Sequence, residues 1–140
     1  MLRQKSASEK SSRARRPSMW IGHGKRMGKA LEISMITLRC HEETWGEIHR
    51  LMRRVDIWNA PQAVPCPSKP HVEVQLPGRK AAAALHEMRA NAFLGNGFDR
   101  AFARRVYVAL AMVVDQFDPS NSRKPLPSAV LDGTADHDAD

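Results

Sequence analysis

The sequence predicts a small two-layer α+β domain in the order strand, helix, linker, strand, helix, helix. Two segments alternate apolar and polar residues, the period of a half-buried strand, and three segments repeat apolar residues at helical spacing. The distribution of charge separates this domain from both ends of the 140-residue chain. We expect residues 1–30 to form a basic flexible arm, residues 31–117 the folded domain, and residues 118–140 a polar to acidic flexible tail.

The net charge of +7 belongs to the arm rather than to the domain. Residues 1–30 contain nine Lys and Arg against one acid, residues 31–117 eleven against nine, and residues 118–140 two against five. Because Ser, Lys and Arg supply little apolar surface to offset the entropy of ordering, no fold is predicted for the arm. Such an arm attracts polyanions without sequence selectivity.

The composition also bears on the cellular compartment. Two cysteines, Cys40 and Cys66, are too few for the disulfide framework of a small secreted domain. No apolar run approaches the roughly 20 residues that a membrane span needs. We therefore expect a cytoplasmic protein with no membrane partner, and the Arg- and Ser-rich start leaves a mitochondrial presequence as the alternative.

The first strand is predicted at residues 33–40, where Ile36, Leu38 and Cys40 share one face. A helix is expected over residues 42–55, because its apolar residues recur at helical spacing and its acids precede its arginines, as the helix dipole favours. Its apolar positions are Trp45, Ile48, Leu51, Met52 and Val55.

Four prolines between residues 61 and 70 predict an extended linker, because proline lacks an N–H and fixes φ. A second strand follows at residues 71–76, with Val72, Val74 and Leu76 facing inward and His71 outward. Two strands alone make a marginal sheet, so we expect them to pair with each other, with a further strand, or across a dimer.

Strong helix formers over residues 79–93 predict the next helix, and Asp99 is the expected N-cap of a last helix that reaches Phe117. The middle of the last helix is apolar nearly all round, which predicts burial on several sides or a subunit interface. Because small domains bury a low fraction of their surface, we also expect a homodimer. Its predicted interface residues are Phe102, Val106, Leu110 and Val113.

Glycines 22, 24 and 28 suggest a phosphate-binding loop. Met27, however, stands where the dinucleotide motif requires its third glycine, and the spacing also fails the P-loop pattern. We interpret the segment from Trp20 to Ala30 as a flexible connector and predict no cofactor.

Cysteine and histidine supply the ligand types of a zinc site, but Cys40, His41, His49, Cys66 and His71 match no zinc spacing. We therefore predict no metal. Cys40 is interpreted as a small buried group at the end of a strand, and Cys66 as a surface thiol in the linker.

Acid–base catalysis has little support in the pattern. Glu43 and Glu47 share a helical face, whereas His49 is rotated away from Glu47. No catalytic residues are predicted, and an enzyme is the third interpretation.

Nucleic-acid binding, to DNA or RNA, is the leading prediction. Arginines crowd the end of the first helix and the first half of the last one, which would add folded phosphate contacts to those of the arm. A protein-interaction module or inhibitor built on the apolar helix 102–117 is the alternative, and a solvated helix face would explain either group of arginines. The predicted contact residues are Arg13, Arg15, Arg16, Lys25, Arg26, Arg39, Arg50, Arg53, Arg54, Arg100 and Arg104.

Residues 36–45, I-T-L-R-C-H-E-E-T-W, resemble the strand-to-helix transition of ribbon-helix-helix regulators. The resemblance is confined to this part of the chain. It implies paired strands that present Thr37 and Arg39 to bases.

Overall fold

The computed structural model describes residues 18–55, 58–59, 61–67, 70–118, 120 and 127–132. Within these residues, four helices cover one face of a four-stranded sheet, which confirms the predicted α+β class. The predicted order of strands and helices is present, with one helix added before it and two short strands added within and after it. The arm residues Arg13, Arg15 and Arg16 and residues 133–140 of the tail lie outside the described residues.

The elements form one sheet with its strands in the order β2-β3-β1-β4. β1 and β3 pair antiparallel over seven residues, β2 adds to β3 antiparallel, and β4 adds to β1 parallel. In chain order the elements are α1 (His23–Leu31), β1 (Met35–His41), α2 (Glu42–Met52), β2 (Ala63–Pro65), β3 (His71–Pro77), α3 (Gly78–Leu94), α4 (Gly97–Gln116) and β4 (Ser128–Val130).

The alternation of the two long strands divides the sheet into a buried and an open face. Ile36, Leu38 and Cys40 of β1 are at most 1% exposed, and Leu38 lies opposite buried Val74 of β3. These inward positions were predicted from the pattern, and the pairing of the two strands is confirmed. On the open face, Thr37 and Arg39 are partly or fully exposed.

Two predictions about the end of β3 were wrong. His71, expected to face solvent, is 4% exposed, and Cys66, expected as a surface thiol, is 7% exposed. The Cys66 N–H donates to the carbonyl oxygen of His71, and the His41 ring lies 5.8 Å from the His71 ring. The end of the linker thus folds over this end of the strand and encloses both side chains.

Helices α3 and α4 pack against each other and provide much of the core. Tyr107, Leu110 and Val114 of α4 are at most 1% exposed. The Asn96 side chain accepts from the Asp99 N–H at 2.9 Å, so the N-cap is Asn96 rather than the predicted Asp99. Neither α4 nor any other helix of the described residues is long and apolar enough to cross a bilayer.

Helix α1 stands where the sequence predicted a flexible connector, and it packs on α3 and α4. Its helix propensity is low because each glycine costs about 1 kcal/mol relative to alanine. Contacts formed in the folded state override this preference, since Arg26 and Ala30 are buried. The end of α1 can lie this close to the start of α3 only because residue 78 is glycine. A Cβ atom on Gly78 would lie 2.1 Å from the carbonyl oxygen of Ile33.

Two short strands lie in segments that were predicted to be irregular. β2 falls inside the proline linker, and β4 falls inside the predicted flexible tail. Ala129 and Leu131 are 2% and 3% exposed beside the central strand β1, so this part of the predicted tail is folded.

Candidate nucleic-acid interface

An ion pair joins the end of α2 to the start of α4. The Arg50 Nη2 donates to Asp99 Oδ1 at 2.7 Å, and its Nε donates to Glu47 Oε1 at 2.8 Å. Hydrogen bonds from the guanidinium to the carboxylates of Asp99 and then Glu47 raise the pKa of Arg50, so the group stays charged. The ion pair therefore brings the end of α2 to the first turn of α4.

Four exposed arginines flank this contact, and we call them the α2/α4 arginine surface: Arg53, Arg54, Arg100 and Arg104. Arg53 is the C-cap of α2, three residues after Arg50, and Arg100 directly follows Asp99. None of the four makes an ion pair with another described residue. Within the described part of the chain, no carboxylate neutralises these four guanidinium groups.

The position of each arginine along its helix indicates whether its charge stabilises the helix. Cations at the end of α2 lie at the negative end of its dipole and stabilise it. Arg100, the fourth residue of α4, lies instead near its positive end, where added positive charge is unfavourable for the helix. Helix stability therefore does not account for Arg100, whereas an anion held there would interact with both its side chain and the helix dipole.

Acidic residues limit the surface on one side. Glu43 and Glu47 of α2, with Phe98 and Phe102 of α4, line an open cleft of about 350 Å³. Arg105, which also lines this cleft, lies 3.4 Å from Asp132. Phosphates are consequently expected to contact the side of α4 that carries Arg100 and Arg104, away from the acidic cleft.

Arg39 does not belong to this surface, because it lies on the open face of the sheet. Its Nη2 lies 2.6 Å from Glu73 Oε2 on β3, and Thr37 Oγ1 lies 3.1 Å from Gln75 Oε1. The strand pairing implied by the ribbon-helix-helix resemblance is not found in the described residues. β1 is an inner strand with β3 on one side and β4 on the other, so neither of its edges is open to a second strand.

Arg26 was predicted to contact phosphate and is instead part of the core. Its Nε and Nη2 donate to the two carboxylate oxygens of Asp115 at 2.8 and 2.9 Å, and its Nη1 donates to the Tyr107 hydroxyl and the Ser18 carbonyl, each at 2.8 Å. The side chain is 7% exposed. The hydrogen bonds to Asp115 contribute most to raising the pKa of Arg26. The prediction failed because this counter-ion is 89 residues away in the sequence.

His23 extends this network, although its sequence context did not predict a role for it. Its Nδ1 lies 2.8 Å from the Tyr107 hydroxyl, and its buried Nε2 has no hydrogen-bond partner among the described residues. Burial lowers the pKa of His23, and the positive charges of Arg89, His86 and Arg26 lower it further. An uncharged imidazole that accepts from the tyrosine hydroxyl fits this site.

Lys25 is exposed on α1, at the other end of α4 from the arginine surface. Its neighbour Arg26 binds Asp115, which lies fifteen residues after Arg100, or about 22 Å along the helix at 1.5 Å per residue. The structure thus separates the predicted cations into the α2/α4 arginine surface, the α1 end, and Arg39 on the sheet.

The predicted interface on α4 is largely buried inside the molecule. Phe102, Val106 and Leu110 are 8%, 0% and 1% exposed, and Val113 is half-buried. Phe102, Val106 and Leu110 face the rest of the core, so for these three the prediction failed. Val113 instead borders an open groove of about 630 Å³ beside β4.

Within the described residues, no three His, Cys, Asp or Glu side chains are grouped as metal ligands. Cys40 is fully buried, as predicted. Burial, together with Asp132 and Cys66, raises the pKa of the Cys40 thiol to about 12, so the group is neither a ligand nor a nucleophile at neutral pH.

The arginine surface has to be interpreted from its own geometry. No protein-family model, no curated protein and no solved structure matches this chain.

Proposed function

We propose that this protein is a small nucleic-acid-binding accessory or regulatory protein, which holds phosphates on the α2/α4 arginine surface. The Arg50–Asp99 ion pair is the observation that carries this proposal, because it brings the end of α2 and the start of α4 together. Arg53 and Arg54 follow Arg50 on α2, Arg100 and Arg104 follow Asp99 on α4, and none of the four is ion-paired to another described residue. The basic arm contributes further positive charge, because residues 1–30 contain nine Lys and Arg against one acid.

Guanidinium groups suit phosphate because their planar donors match two of its oxygens. Contacts of this kind position a nucleic acid without reading its bases. We therefore expect binding to DNA or RNA with little sequence preference. Affinity should depend strongly on salt, because each neutralised phosphate releases counterions.

The test is a titration of a fluorescently labelled DNA duplex, and of one of its strands, followed by anisotropy. Between about 50 and 200 mM salt the affinity should fall steeply, and the slope of log K against log salt gives the number of phosphates contacted. Absence of binding to either DNA at the lowest salt would reject the proposal.

A pair of single substitutions separates this surface from net charge alone. Arg100→Gln and Lys25→Gln each remove one exposed charge, at opposite ends of α4. Arg100→Gln should weaken binding and reduce the salt slope by about 1, whereas Lys25→Gln should leave the slope unchanged. Equal effects of both would show that total charge, rather than the arginine surface, attracts the DNA.

The second function predicted from the sequence, an interaction module or inhibitor built on helix 102–117, has less support. Three of its four contact residues, Phe102, Val106 and Leu110, lie in the core. Recovery of one stoichiometric protein partner after nuclease treatment, without DNA binding, would favour this function over nucleic-acid binding.

A further inference from the structure

The two edges of the sheet are unequally protected. At the β2 edge, Pro61 precedes the strand, Pro65 ends it and Pro67 follows it. Proline has no N–H to donate and so prevents further strands from pairing. At the opposite edge Pro127 precedes β4, but its carbonyl accepts from Thr37 of β1, and residues 128–132 contain no proline.

Among the described residues, no strand pairs with the outer side of β4. The Thr37 N–H donates to the Pro127 carbonyl, and the Leu131 N–H donates to the Arg39 carbonyl, both at 2.9 Å. Because successive residues of a strand direct their backbone groups to opposite sides, Ser128 and Val130 direct theirs away from β1.

An apolar groove adjoins this open edge. It has a volume of about 630 Å³ and lies between α4 and β4. On the helix, half-buried Val108, Ala109, Met112 and Val113 form its apolar part, and Arg104, Arg105 and Gln116 line it as well. Val130 on the strand is 40% exposed. An edge strand without protection beside an apolar groove is a site for adding another strand with its own covering helix.

We propose that the occupant is a second copy of this chain, so that two β4 strands pair antiparallel about a twofold axis. Val130 then exchanges hydrogen bonds with the partner's Val130, and the sheet continues from one molecule into the other. The paired segment is short, because the positive φ of Asp132, 34°, ends the extended backbone. The strip of α4 that lines the groove therefore supplies most of the apolar contact.

Charge complementarity favours this antiparallel arrangement. Asp132, just after β4, contacts Arg105 in the first half of α4, so β4 runs towards that half of the helix. The twofold axis consequently places Arg104 near the C-terminal half of the partner's α4. That half carries the negative end of the helix dipole and is followed by Asp118. A parallel arrangement would instead bring arginines together.

This inference goes beyond the proposed function and is tested without nucleic acid. Light scattering during size-exclusion chromatography should give the wild-type chain a mass twice 15.7 kDa, with dissociation on dilution. Val130→Lys places a charge at the open edge and should weaken dimerisation by about tenfold or more. Val64→Lys is the matched control, because Val64 is also exposed, at 54%, but lies on the opposite edge strand.

A second variant and a second measurement keep the result interpretable. Met112→Glu leaves the β4 backbone intact and should also yield a monomer, with circular dichroism showing that each variant is folded. Hydrogen exchange in residues 128–132 should slow as protein concentration rises. A wild-type chain that stays monomeric at every concentration would overturn the proposal. That result is expected if residues 133–140 fill the groove of their own chain. The proposal would also be overturned if Val64→Lys dissociated the dimer while Val130→Lys left it intact.

Discussion

Arg26 makes four hydrogen bonds that tie α1 to the rest of the domain. Two of them meet both oxygens of Asp115, and the others reach Tyr107 and the chain before α1 at Ser18. A bidentate pair with a buried guanidinium is stronger than an exposed pair, because water competes less for its hydrogen bonds. Removing the carboxylate would leave the buried guanidinium hydrogen-bonded to Tyr107 and Ser18 but without a counter-ion.

Asp115→Ala should lower the free energy of unfolding by about 2 kcal/mol, below the 3 to 5 kcal/mol of fully buried pairs, because Asp115 is 41% exposed. Glu73→Ala provides the comparison, since it breaks an ion pair with Arg39 whose two side chains are 34% and 48% exposed. This control should lose less than about 1 kcal/mol. Urea denaturation measures both, and equal losses would contradict a structural role for Arg26.

His23 should make the domain less stable in mild acid. Its folded-state pKa lies below the ordinary value of 6.5. The unfolded chain therefore binds more protons as pH falls through 6.5, and stability drops until the folded-state pKa is passed. The loss of unfolding free energy between pH 7.5 and pH 5.5 should be smaller in His23→Gln than in the wild type. An unchanged pH dependence in this variant would show that other groups cause the loss.

Cys40 should be inert in the folded protein. A thiol whose burial raises its pKa to about 12 carries almost no thiolate at pH 8. In the Cys66→Ser variant, which leaves Cys40 as the single thiol, Ellman's reagent should react slowly in buffer and rapidly in denaturant. Rapid reaction under native conditions would contradict the burial of Cys40.

At the level of single side chains, the sequence predicted exposure better than it predicted partners. Arg53, Arg54, Arg100 and Arg104 are exposed as their helical positions implied. The burial of Arg26 could not be predicted, because it depends on a carboxylate brought near only by the folded chain.

Among the elements, the contact between α1 and α3 depends most on the size of one residue. A Cβ atom on Gly78 would lie 2.1 Å from the Ile33 oxygen and 2.4 Å from the Ala30 oxygen, both backbone atoms. Backbone atoms cannot rotate away as a side chain can, so α1 would have to shift. Gly78 is thus required by space rather than by its φ angle.

Gly78→Ala should destabilise the protein by about 3 kcal/mol, the upper part of the usual range for overpacking. Gly46→Ala is the matched control, because Gly46 lies inside α2 and a Cβ added there would meet no atom within 4 Å outside its own helix turn. This control should stabilise the protein by up to about 1 kcal/mol, through helix propensity. Thermal unfolding distinguishes the two, and a neutral Gly78→Ala would show that α1 is not held against α3.

The elements that the sequence predicted are those whose pattern is local. β1, β3 and the three helices that follow them have clear apolar periods. Helix α1 was missed because its glycines argue against a helix, and its contacts with α3 and α4 were not visible in the sequence. β2 and β4 were missed because three residues are too few to show alternation, and both depend on neighbours distant in the chain.

For the molecule as a whole, the arm and the arginine surface should contribute separately to nucleic-acid binding. Replacing Arg13, Arg15 and Arg16 together by Gln should reduce the salt slope by about 2 to 3 on duplex DNA. We expect urea stability not to change, because the sheet and core formed by the described residues do not include these three arginines. Anisotropy titrations measure the slope. An unaltered slope would show that these arm residues do not contact phosphates and that the folded surface alone binds the DNA.

The prolines around β2 limit how far association can proceed. Molecules with two open sheet edges can add to one another end to end and grow into fibres. Here Pro61, Pro65 and Pro67 close one edge, so each molecule has a single edge to offer. In the dimer that we propose, pairing of two such edges would use up both of them, so the assembly would be complete at two copies with no end left for polymerisation.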